Sequence, residues 1–170
     1  MTLPIRQAPN RPSDAARIIR KRPPSFESPS RGAAGVRRDL PARLACAPGW
    51  RIVVAPELRL SGGILVPDVA GWRPGRWTPA SAGALDLPPD WVCEVRGARG
   101  EGPDPAERRA RYAAQGIDWL WSVDRRARRL EAFAFFRGAW TLFATLAEGD
   151  VLRVAPFREI ELPPAAVWTG

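Results

Sequence analysis

Histidine is absent from the 170 residues. That excludes catalytic triads built on imidazole, imidazole general bases and zinc hydrolase sites of the usual kind. Lysine occurs once, at Lys21, so no amine is supplied by anything after it. The 2 cysteines, Cys46 and Cys93, stand far apart without a CxxC pairing, which argues against both a zinc site and a disulfide framework. No stretch approaches the roughly 18 apolar residues of a membrane span, and no apolar core follows the first charges as a secretory signal would require. These absences point to the cytoplasm. They leave carboxylates, arginines and a metal ion as the means for any chemistry.

What is present is unevenly distributed. Residues 1–48 hold ten basic side chains against three acidic ones, a net +7 of the formal +8. The remainder is nearly neutral, and all 8 Trp and the only Tyr lie within it. The first segment is rich in Pro, Arg, Ala and Ser and lacks the bulky apolar groups that offset ordering entropy. It reads as mostly disordered, with a helical turn around "SDAARIIRKR". A solvated tail, a basic arm for nucleic acid phosphates and a stretch that is not a native N-terminus all fit this composition. The expected folded domain is residues 49–170.

Beyond residue 48 the pattern is strand, strand, strand, helix, strand, then a hairpin and an apolar tail. "RIVVAPELRL" alternates as a strand, with Ile52, Val54, Pro56, Leu58 and Leu60 on one face. "SGG" turns the chain into "ILVPDVAGW", where Ile64, Val66, Asp68 and Ala70 share a face. Pro67 cannot donate a ladder hydrogen bond, which suggests a sheet edge or bulge near Asp68. In "WVCEVR", Trp91, Cys93 and Val95 point one way and Val92, Glu94 and Arg96 the other, so Glu94 and Arg96 are neighbours at about 7 Å.

"DPAERRARYAAQG" reads as a helix. Asp104 is the N-cap, Pro105 the first helical residue, Glu107 the second half of a capping box and Gly116 the left-handed end. Ala106, Ala110, Ala113 and Ala114 form a small-residue stripe suited to packing on a sheet. Arg108 and Tyr112 share another stripe. "IDWLWSV" then fits a strand parallel to "WVCEV" after a right-handed crossover. "RLEAFAFF" and "AWTLFATL" form a hairpin about Arg137 and Gly138. The pattern is an α/β domain: a mixed central sheet with a crossover helix and an added strand hairpin.

Asp68 and Glu94 stand on consecutive strands inside apolar runs. Two such carboxylates repel unless a cation neutralises them, and a divalent metal does so economically. On spacing alone a second account fits slightly better: Asp68 belongs to a turn after Pro67, and Glu94 pairs with Arg96 or another arginine.

The segments "PELRLSGGILVPDVAGW", "PPDWVCEV", "RYAAQGIDWLWSVD" and "RRLEAFAFFRGAWTLFATL" together resemble the Uma-type putative restriction endonuclease family of the PD-(D/E)XK nuclease superfamily, over roughly residues 49–168. The resemblance implies a restriction-endonuclease-like core and cleavage of DNA phosphodiesters. It makes Asp68 the aspartate of the "PD" element and Glu94 the following acid. The two would bind Mg²⁺ (or Mn²⁺) together with the backbone carbonyl of Val95. The family often lacks the lysine two residues after that glutamate and carries one instead on the next helix, four residues before a tyrosine. Here those positions are Arg96 and Arg108, both arginine. Arginine keeps its proton at any working pH, so it can hold a phosphate but cannot act as a base. A module with a degraded site, binding nucleic acid or a protein partner without cleavage, is the alternative. Members of such superfamilies often work as dimers, which makes a homodimer compatible with the resemblance, although no residue pattern fixes an oligomeric state.

Overall fold

Local signals fix the crossover. The Asp104 side chain accepts from the Ala106 N–H at 3.2 Å, Pro105 opens the helix and Gly116 (φ +72°) follows its end. The resulting helix α2 (Pro105–Ala114) joins β5 (Trp91–Val95) to β6 (Trp119–Asp124), which pair in parallel. Its one buried residue is Tyr112. The alanine stripe does not face the sheet as expected: Ala106, Ala110 and Ala114 are exposed. Small side chains suit solvent as well as close packing, and the larger apolar area of Tyr112 decides which face is buried.

The computed structural model describes residues 33–77, 85–96 and 104–168. A six-stranded mixed sheet runs in the order β1-β4-β5-β6-β7-β8, where β1 is Arg51–Val54, β4 Val69–Trp72, β7 Arg129–Phe136 and β8 Ala139–Ala147. The hairpin β7–β8 turns at Arg137 (φ +49°) and Gly138 (φ +83°), two left-handed residues as the tight hairpin turn requires. A separate hairpin pairs β2 (Leu58–Leu60) with β3 (Gly63–Leu65).

Two segments expected to be single strands are each split. "RIVVAPELRL" breaks at Ala55 (φ +44°) and Pro56, sending β1 to the main sheet and β2 to the small hairpin. "ILVPDVAGW" breaks at Val66–Asp68, where Pro67 cannot continue the ladder. The alternating pattern carries across both breaks, so periodicity alone does not mark them.

The boundary at residue 48 moves as well. Helix α1 (Ala34–Leu44) lies inside the segment expected to lack structure, and its Val36, Leu40 and Leu44 are fully buried. These residues recur every fourth position and form one apolar stripe on a helix otherwise rich in arginine. Pro41 deletes one intrahelical donor. Burial of the stripe against α3 (Ala165–Trp168) and β1 holds the helix nonetheless. The expectations for residues 1–32, including the turn at "SDAARIIRKR", fall outside the described residues.

The sheet has two covered faces. On one, Trp91, Cys93, Val95 and Trp121 pack with α1 and the C-terminal tail, where Phe157 meets Trp91 and Trp121 edge-to-face at 5.0 and 5.7 Å. On the other, Val92 and Leu120 pack with Tyr112, Ile117 and the β2–β3 hairpin residues Leu58 and Leu65. Glu94 points to this second face, as its alternation with Cys93 and Val95 requires.

Candidate active site

Asp68 sits where β4 begins. Its carboxylate is buried at 1% exposure, and Oδ2 accepts the Val95 N–H at 2.8 Å. The last ladder pair before it is Val69 opposite Cys93. Carried one residue further, that register sets Asp68 opposite Glu94, and the Asp68 side chain bonds to β5 where Pro67 takes the backbone away. Arg37 of α1 reaches the same carboxylate, with Nε 3.4 Å from Oδ1.

Glu94 is held from the helix above it. Arg108 Nε lies 2.9 Å from Glu94 Oε1, and the Tyr112 hydroxyl donates to the same oxygen. The second arm of Arg108 donates to the Val66 carbonyl at 3.0 Å, so one guanidinium ties α2 to Glu94 and to the turn that carries Asp68. Burial, reinforced by the Glu94 charge, pushes the Tyr112 hydroxyl well above its ordinary pKa. Tyr112 therefore remains a donor to Glu94 across the working pH range. Burial likewise raises the Cys93 thiol, with the Asp68 and Glu94 charges both adding to the effect. Both carboxylates therefore lie close enough to that thiol to act on it.

Of the residues marked by the sequence, the structure brings together Asp68, Glu94, Val95 and Arg108. Arg96 is not with them. Its guanidinium turns from Glu94 to Glu131 on β7, at 3.6 Å. Glu94, Ser122 and Glu131 are in register across three adjacent strands and so form one polar row. Sequence reasoning missed Arg37 and Glu131. Glu131 had a visible signal, a carboxylate inside the apolar run "RLEAFAFF", comparable with Glu94 in "WVCEV". Arg37 had none, because its partner lies on a distant strand.

Mg²⁺ can be tested against these donors. In kind they fit, being carboxylates on residues that the register sets opposite each other, with water and phosphate able to complete an octahedron as they commonly do. In charge the pair is already accompanied, by Arg37 on Asp68 and Arg108 on Glu94. Both arginine side chains are partly exposed, at 22% and 16%.

A six-stranded mixed sheet with a helix crossing between its two parallel strands is a nuclease-like fold. The solved structure of a putative nuclease belonging to DUF820 from Anabaena variabilis ATCC 29413 shares that fold, with a TM-score of 0.62 at 12% identity, covering 84% of this chain and 83% of that one. The family described as "Putative restriction endonuclease" (Uma2) matches residues 34–165, and the chain belongs to it. No curated protein matches. The family match begins at the first residue of α1 and not at residue 49, in keeping with the buried face of that helix.

Proposed function

We propose that the chain is a metal-dependent endonuclease hydrolysing DNA phosphodiester bonds. The observation that carries this reading is the meeting of Asp68 and Glu94 across β4 and β5, with Arg108 on Glu94. Mg²⁺ or Mn²⁺ would be held by these two carboxylates and the Val95 carbonyl. Bound there, the ion would supply positive charge to a phosphoryl oxygen and acidify an attacking water. The chain's own groups do the rest. Arg108, planar and permanently charged, offers a fork of donors to a phosphate and steadies the charge that develops on it. Tyr112 fixes the orientation of Glu94. Arg96, paired with Glu131, would contact a phosphate only by turning from that partner. No side chain among these serves as a general base.

A second reading is favoured by one observation: each acid already carries a guanidinium. On that reading the fold binds DNA without cutting it. The experiment is relaxation of supercoiled plasmid by the full chain with Mg²⁺ or Mn²⁺. Nicking that vanishes with chelator is the expected result, and DNA binding with no cleavage in either metal would establish the second reading. In the same assay Arg108→Lys is expected to nick about 10²-fold faster, the low end of what a titrating amine contributes as an acid–base group. An unchanged rate would show that arginine at this position does not limit the reaction.

A further inference from the structure

One cation on the acid pair comes from outside both the strands and α2. Arg37 lies on α1, whose apolar stripe packs on the sheet face opposite Glu94, and it reaches round the start of β4 to Asp68. Val36, Leu40 and Leu44 are fully buried, so the helix cannot shift without disturbing the core, and the guanidinium stays within reach of Asp68. Arg37 and Arg108 together balance the charges of Asp68 and Glu94, leaving the four side chains neutral as a group. A dication placed on Asp68 would meet the Arg37 charge at close range, where like charges repel strongly unless water intervenes.

We propose that Arg37 is the resident counter-ion of Asp68 and competes with the divalent cation for that carboxylate, so that α1 sets the metal affinity of the site. The inference rests on the reading of Asp68 and Glu94 as a metal pair. It explains how a buried aspartate beside a half-buried glutamate remains folded before an ion arrives. It also makes Arg37 a positioning residue: metal entry requires its guanidinium to turn away from Asp68, for which its partly exposed side chain gives a path to solvent.

The test is binding of Mn²⁺ alone to the full chain, followed through the electron paramagnetic resonance signal of the free ion. Arg37→Gln is expected to bind Mn²⁺ about tenfold more tightly than the wild type, while Arg37→Lys, which keeps the charge, stays close to it. Should Arg37→Gln not melt cooperatively, Arg37→Met retains the packed aliphatic stem and takes its place. The gain should disappear when Asp68→Asn is added. Equal affinity in Arg37→Gln and wild type, with Asp68→Asn weaker than both, would overturn the role of Arg37 and leave the metal pair standing. Mn²⁺ binding indifferent to Asp68→Asn and to Glu94→Gln would overturn the metal pair and this inference with it.

Discussion

A chain that begins at residue 49 is expected not to fold. The composition of residues 1–48 invites that truncation, but α1 contributes Val36, Leu40 and Leu44 to the core at 0% exposure, together with Ala33 just before it. A single buried leucine truncated to alanine costs about 2–5 kcal/mol. Removing the whole stripe also strips cover from α3 and β1, against which the helix packs. The loss is comparable with the entire stability of an ordinary domain, about 5–15 kcal/mol. Thermal melts followed by circular dichroism check this: residues 33–170 should melt cooperatively, and residues 49–170 should show no cooperative transition. Cooperative melting of the shorter chain within a few degrees of the longer would show that α1 merely rests on the domain. The same deletion removes Arg37 from Asp68, so cleavage by residues 49–170 would say nothing about the native site.

How much the sequence reveals depends on how local each signal is. Helix α2 was legible because Asp104, Pro105 and Gly116 each act on the residues beside them. The parallel pair β5 and β6 followed from it, since a helix between two apolar strands leaves one common connection. Helix α1 was hidden because composition averages over a long window. Its stripe has one apolar residue per turn, and Pro41 with four charged neighbours dominates the local count. The acids of the site were legible as carboxylates inside apolar runs, and the order of the surrounding motifs joined them. Their partners were not. Glu94 and Arg96 share a strand face, which made them the natural pair, yet Arg108 reaches Glu94 from above and Arg96 takes Glu131. Spacing along a strand says which groups can meet, and the third dimension supplies competitors that spacing does not contain.

Asp68→Asn and Glu94→Gln are each expected to lower metal-dependent nicking about 10³-fold. Each removes one of two carboxylates from a dication, and charge stabilisation by such an ion is worth several kcal/mol in the transition state, at about 1.4 kcal/mol for each tenfold in rate. Neither change should unfold the protein. Asparagine can still accept the Val95 N–H, and glutamine can still accept from Tyr112. The arginines that lose a charged partner have partly exposed side chains, which holds the cost to about 1–3 kcal/mol. Binding of DNA in chelator separates loss of chemistry from loss of structure. Each substitution deletes one negative charge beside Arg37 or Arg108, so phosphate contacts should hold or tighten while cleavage collapses. A misfolded chain would lose both together, and nicking that survives both substitutions would remove Asp68 and Glu94 from the reaction. Opposite movement of binding and cleavage is therefore the signature that ties the chemistry to these two carboxylates.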